Sequence, residues 1–436
     1  MICISTRGTA PAVSLKAAVL AGIAPDGGLY VPAKLERRPD AWWSALRGKS
    51  FQDVAIALAT ELAGDELDRE TLASLVREAL NFPVRVLELE RGFGVVELFH
   101  GPTFAFKDFG ARTLARLMSL YQPPATGDRD TTRGGRLTIL VATSGDTGSA
   151  VAHAFFGIAG MRVVVLYPEG QVSEVQEAQF TTLGGNVTAV AVKGTFDDCQ
   201  RLAKEAFADR SLQSRVRLTS ANSISLGRLL PQMFYFAYAA LQYKAQTPLL
   251  ISVPSGNFGN LVAGVMAWKL GAPINGFSAP TTINDTVPRY FKTGRVEPRP
   301  SVPTAANAMD VGNPSNLERL QWLFDGDLGA MRKVIVSAAH TDEEARAAIA
   351  ELHTKYGYIA DPHTAIGYLG AVGARRAAGA PCALFLSTAH PAKFREVVEP
   401  VIGKLVPLPD ALAETLARKK TIQRIGPALG ELSKLL

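Results

Sequence analysis

Cysteine is scarce in this chain. Three residues of 436, Cys3, Cys199 and Cys382, stand at spacings that suit neither a disulfide framework nor a zinc site. A reducing, cytoplasmic setting is the expectation. Long apolar runs are missing as well. The richest, Met233 to Leu241, falls short of the ~18 residues of a membrane span, so no membrane partner is expected. The stretch Met1 to Gly8 lacks the charged-then-apolar order of a signal peptide. Nor does one sign of charge dominate: 46 basic against 40 acidic residues leave a formal net charge of +6. The basic residues are dispersed, with Arg418-Lys419-Lys420 the tightest cluster, so no nucleic-acid partner is expected. A small anionic ligand suits that charge equally well. His100, His363 and His390 have no paired metal-ligand spacing, and no metal is expected. Cys199, in a helical pattern from Asp197 to Ala208, reads as a small buried apolar residue.

What is present fits a soluble globular protein: 47% hydrophobic and 20% charged residues. Residues 1–90 read as a small N-terminal unit, with turn chemistry at Pro25-Asp26-Gly27-Gly28 and helical patterns from Phe51 to Leu80 broken at Gly64. From 91 to 436 the pattern is strand, glycine-bearing loop, helix, repeated. Apolar strands are expected at Leu137–Val141, Arg162–Leu166, Val187–Val192, Leu249–Val253 and Ala383–Leu386. This is an α/β class with mostly parallel sheets flanked by helices. Gln122 to Arg136 reads as a mobile surface loop, and Thr293 to Thr304, with three prolines, as an extended connector.

The stretch His100-Gly-Pro-Thr-Phe-Ala-Phe-Lys-Asp108 follows an apolar run, Val95 to Phe99, and opens a helical pattern, Phe109 to Leu120. Lys107 therefore stands at a helix N-terminus, whose partial positive charge disfavours a cation. Phe104 and Phe106 add an apolar surround that disfavours it further. Lowering a lysine pKa from ~10.4 by about three units corresponds to roughly 4 kcal/mol. Schiff-base chemistry needs such a lysine, because only the neutral amine attacks a carbonyl. On position alone, a lysine snorkelling from the helix rim is the commoner case.

The rest of the chain shifts that balance. Strand Leu249–Val253 leads into Pro254-Ser255-Gly256-Asn257-Phe258-Gly259-Asn260 and then a helix. Backbone N–H groups at such a turn converge on an anion, and Ser255, Asn257 and Asn260 offer side-chain donors. No Gly-Lys-Ser/Thr or G-x-G-x-x-G spacing is present, so this is neither a Walker loop nor a dinucleotide turn. The same construction recurs at Thr143-Ser144-Gly145-Asp146-Thr147-Gly148. Two anion cradles beside an activated lysine suggest pyridoxal phosphate with an amino-acid substrate. A third segment, Ser387-Thr388-Ala389-His390-Pro391-Ala392-Lys393, ends a strand with hydroxyls that either meet a pyridine nitrogen or cap the next turn.

Taken together, His100–Asp108, Ser144–Gly148, Pro254–Gly259 and Ser387–Lys393 resemble the threonine synthase family, in the longer form of many bacteria and fungi. Pro25–Pro32 and Asp361–Ala365 resemble further blocks of that family, and the similarity runs in order along nearly the whole chain. The resemblance implies a tryptophan-synthase-β-like fold (fold type II), pyridoxal 5'-phosphate as cofactor, and conversion of O-phospho-L-homoserine and water to L-threonine and phosphate. It implies that Lys107 is the Schiff-base lysine and catalytic base. It implies that Ser255, Gly256, Asn257, Phe258, Gly259 and Asn260 hold the cofactor phosphate and that Thr388 faces the ring nitrogen. Ser144, Gly145, Asp146 and Thr147 match the substrate-carboxylate loop, and Asn222 and Arg228 fall in another block near the site. The chain departs from the family at Ser225-Leu226-Gly227, where Asn-Trp-Ala is expected, and in the Gln122–Arg136 loop. A monomer or homodimer is expected. The alternatives are release of 2-oxobutyrate by a phospho-lyase or dehydratase, and an inactive binding protein on the same fold.

Overall fold

A computed structural model describes residues 1–122, 136–243, 248–378 and 382–436. The expected mobile loop Gln122–Arg136 lies, at 123–135, outside the described residues.

Fourteen strands form three sheets among these residues. Strands β1 (Ile2–Ser5), β2 (Val13–Ser14) and β3 (Tyr30–Pro32) make a small antiparallel sheet, with β1 central. The next two, β4 (Arg85–Glu90) and β5 (Phe93–Glu97), are antiparallel neighbours. Thus β4, N-terminal to the expected boundary at residue 90, belongs to the sheet that β5 joins. Four parallel strands follow: β6 (Leu137–Ala142), β7 (Met161–Pro168), β8 (Val187–Val192) and β9 (Arg217–Thr219). The last five are β10 (Leu249–Ser252), β11 (Gly276–Ser278), β12 (Ile335–Val336), β13 (Cys382–Ser387) and β14 (Gln423–Ile425). One large sheet has the order β12-β11-β10-β13-β5-β4, parallel except at β4, and the other is all parallel, β14-β8-β7-β6-β9.

The near-continuous apolar sequences of β6, β7, β8, β10 and β13 are what strands covered on both faces require. All but two residues in these five strands are buried. Each expected strand is present to within two residues. The run Val95–Phe99 is strand only as far as Glu97, and Phe93-Gly94 precede it. Thr293 ends a helix and Gly294 caps it, and residues 295–304 carry no regular secondary structure.

The helix Lys107–Tyr121 is held from its own first turn. Phe109 is fully buried and meets the ring edges of Phe51, Phe82 and Tyr235 at 5.6, 4.9 and 5.0 Å. Burying one such ring is worth about 1.5–3 kcal/mol. Phe109 thereby ties the segment that begins with Lys107 to the helices Phe51–Ala63 and Gln232–Gln242. Arg319, fully buried, donates to the carbonyls of Tyr30 and Ile224 and to Asn316 Oδ1, joining β3 to the loop that carries Asn222.

Candidate active site

The chain turns beyond the C-terminal ends of β5, β6, β10 and β13, where ligands lie in parallel α/β sheets. Those turns border one cavity of about 1510 Å³. Lys107, Ser144, Asp146, Thr147, Asn222, Arg228, all of Ser255 to Asn260, and Thr388 line it. Gly145 alone among the expected site residues does not. It precedes the helix Asp146–Phe155 with φ +137°, and a Cβ there would lie 2.4 Å from the Gln176 side chain. Gly145 shapes the loop rather than touching the cavity.

Lys107 is the first residue of its helix, as its sequence position predicts. Its amine has no hydrogen-bond partner among the described residues and sits 5.8 Å from the Phe106 ring centre. Burial pushes its pKa down to about 8, with the nearby Arg228 and Lys393 cations adding to the shift and Asp146 opposing it.

The turn after β10 carries the first cradle. The backbone N–H groups of Gly256, Asn257, Phe258, Gly259 and Asn260 find no partner in the described protein, and they gather at the N-terminus of the helix Gly259–Lys269. That is an anion site by geometry and by helix polarity. The side chains contribute less than expected. Ser255 donates its hydroxyl to the Val253 carbonyl at 2.7 Å and its N–H to Pro280 at 2.9 Å. Asn257 donates to Ser223 Oγ at 2.5 Å and accepts from the Ser315 N–H at 2.6 Å, so both ends of its amide are committed. Asn260 accepts from the Tyr235 hydroxyl, while its buried Nδ2 stays unpartnered. Backbone amides make this cradle, and most of the polar side chains brace it. The residue in the left-handed region is Phe258, at φ +63°, and neither glycine.

The turn after β6 repeats the design. Thr143 Oγ1 accepts the N–H groups of Gly145 and Gly148 at 2.9 and 2.8 Å. The N–H groups of Ser144, Asp146 and Thr147 are left without a partner at the helix start. Asp146 is buried and ion-paired to Lys393 at 2.6 Å. Burial alone would raise its pKa, but Lys393 and Lys107 hold the carboxyl well below the usual range.

The third turn separates two hydroxyls. Ser387 is engaged with Thr364 at 2.9 Å and Tyr358 at 3.1 Å and lies outside the cavity lining. Thr388 lines the cavity with its hydroxyl unpartnered, while its carbonyl accepts the Phe106 N–H at 2.8 Å, next to Lys107. Arg228 donates to the Ala221 carbonyl at 2.6 Å, and burial lowers its pKa to about 10. Arg228 Nε and Asn222 Oδ1 are buried polar atoms with no partner in the protein. Buried polar atoms usually have a partner, so these two, on the cavity wall, are open to a ligand.

Three residues here escaped sequence reasoning. Two of them, Lys393 and Gln176, hold Asp146. The third, His363, lines the cavity, hydrogen-bonds Asp361 at 2.6 Å through Nδ1 and accepts the Ala308 N–H at Nε2. Each lies in an unremarkable helical or turn context in sequence, although Lys393 and His363 stand inside the quoted blocks.

An unpartnered amine, a phosphate-sized amide cradle and a free hydroxyl, in one cavity between two largely parallel sheets, define a fold type II enzyme that uses pyridoxal phosphate. Residues 88–386 match the family model for pyridoxal-phosphate dependent enzymes, and 3–80 and 364–435 match models for the threonine synthase N terminus and C-terminal region. The chain is 41% identical over 426 residues to the threonine synthase of Serratia marcescens, covering 97% of this chain and 96% of that one. The crystal structure of Escherichia coli threonine synthase superposes with a TM-score of 0.90 at 40% identity, covering 100% and 99% of the two chains. Pyridoxal-phosphate-bound threonine synthase from Brucella melitensis gives 0.91 at 35% identity, covering 100% and 98%. The chain belongs to the threonine synthase family.

Proposed function

We propose that this enzyme converts O-phospho-L-homoserine and water to L-threonine and phosphate, with Lys107 as its base. The observation that carries this reading is the convergence of one free, neutral-tending amine with two separate sets of free amides in one cavity. One set suits the cofactor phosphate and the other a substrate carboxylate. Ser255 to Asn260 would hold the phosphate through the backbone, Thr388 would donate to the ring nitrogen, and Lys107 would bind the aldehyde carbon. Bound pyridoxal phosphate supplies an electron sink for negative charge at the substrate Cα.

The lysine choice follows from the pairing of the two buried amines. Lys393 donates hydrogen bonds to Asp146 and to the Thr103 carbonyl, so its amine is committed to two acceptors. Lys107 has no hydrogen-bond acceptor among the described residues, and only the field of Asp146 favours its charge. Lys107 Nζ would be placed to take the substrate Cα proton and to carry protons from Cβ and back to Cγ as the phosphate is lost. A hydroxyl opposite the ring nitrogen, with no carboxylate among the expected contacts, favours a neutral ring. Ser144, Asp146 and Thr147 would hold the substrate carboxylate through their N–H groups. Asn222 and Arg228 offer buried, unpartnered polar atoms to the rest of the substrate.

Incubation with phosphohomoserine tests the reading. Phosphate and threonine should form in equal amounts, with little 2-oxobutyrate. Predominant 2-oxobutyrate would make the protein a phospho-lyase or dehydratase, and absence of turnover would leave a binding protein.

A further inference from the structure

Asp146 is an odd residue for its place. It opens the helix whose free amides are proposed above to bind a carboxylate, yet it carries a carboxylate of its own. An acidic side chain in the first turn of a helix is attracted to those amides. Here it is held elsewhere, because Asp146 Oδ1 accepts from Lys393 Nζ at 2.6 Å and from Gln176 Nε2 at 2.9 Å. Asp146 Oδ2 has no hydrogen-bond partner among the described residues.

The lysine that holds it is itself fixed. Lys393 lies in the short turn Pro391–Phe394 beyond β13, with its side chain 0% exposed. Its amine also donates to the Thr103 carbonyl at 2.9 Å, and its own carbonyl accepts from Ser173 Oγ at 3.2 Å. The pair thus runs from the β13 end of one large sheet to the β6 end of the other. Leaving either charge alone in that interior would be costly.

We propose that Lys393 is a positioning residue for substrate binding: it draws the Asp146 carboxylate aside and cancels its charge, so that the amides of Ser144, Asp146 and Thr147 accept a substrate carboxylate. This rests on the reading of that loop as the carboxylate site. Without Lys393, Asp146 would both compete for the amides and repel the incoming anion.

Three variants separate the possibilities: Lys393→Met, Asp146→Asn and the double variant. The probe is L-2-aminobutyrate, an amino acid with no leaving group, titrated into the cofactor-loaded protein by calorimetry, beside KM and kcat for phosphohomoserine. Lys393→Met should weaken aminobutyrate binding and raise KM by roughly 10- to 100-fold, the effect of an uncancelled like charge a few ångströms away. Asp146→Asn should bind aminobutyrate no more weakly than the parent. The double variant, with neither charge, should return to within about threefold of the parent. Weakening in all three alike would mean that the pair only braces the structure, and would overturn the proposal. No change in any would mean that the carboxylate docks elsewhere, and the reading of the loop would fall with it. Should Lys393→Met not fold, Lys393→Gln takes its place: weaker binding that Lys393→Gln/Asp146→Asn restores supports the proposal, and equal weakening in both overturns it.

Discussion

Two lysines reach the buried centre of this molecule, and their surroundings set them to opposite tasks. Lys393 is paired, so its charge is useful where it stands. Lys107 is unpaired and desolvated, so its charge is a liability and its lone pair is available. A pKa pushed down to about 8 has a sign that can be worked out. Below about 8 the amine is mostly protonated and inert toward an aldehyde, and above it the amine is neutral and the rate stops rising. Cofactor uptake by the cofactor-free protein, followed from about pH 6 to about pH 10, should therefore rise and level off near 8, not near the ~10.4 of an ordinary lysine. A plateau only at the higher value would mean that the cavity does not desolvate Lys107. Much of this was legible in sequence, because a helix start and two aromatic neighbours are local features. The choice between Ser387 and Thr388 was not. Both end the same strand, and only the partners of Ser387, Thr364 and Tyr358, separate them.

The elements that carry the cradles were readable because strand, glycine turn and helix are consecutive in the chain. The role of the individual glycines was not readable, since it depends on a distant segment. A Cβ at Gly256 would come within 2.6 Å of the Met309 backbone, whereas one at Gly259 would meet only the Asn316 amide at 3.2 Å. Gly256→Ala should therefore push the segment 308–309 off the cradle, with a stability loss of about 1–3 kcal/mol and at least ~10-fold weaker cofactor binding. Gly259→Ala should cost less, about 1 kcal/mol, because a contact at 3.2 Å with a side chain asks for a shift of only tenths of an ångström. Thermal denaturation and cofactor titration of the two variants check this. Equal losses would show that both glycines serve the ligand alone. Short strands such as β12 and β14, two and three residues long, also escaped pattern reading. Too few residues alternate there for a period to register.

At the scale of the whole molecule, the site is assembled from turns separated by most of the chain's length. Lys107, Thr147, Ser255 and Thr388 belong to segments that follow β5, β6, β10 and β13, in two different sheets. A sequence shows such segments one at a time and is silent on their convergence. The family likeness supplied that convergence in advance, and the single shared cavity gives it a physical basis. What neither pattern nor likeness indicated was the buried cross-sheet pair of Asp146 and Lys393, which joins residues far apart in sequence.

The central claim is that Lys107, and not the fully buried Lys393, is the amine that holds the cofactor. Borohydride reduction of the cofactor-loaded protein, followed by digestion and mass spectrometry, tests it directly. The account predicts cofactor mass on the peptide that contains Lys107 and none on the peptide that contains Lys393. Label on Lys393 or another lysine, with Lys107 unmodified, would contradict it.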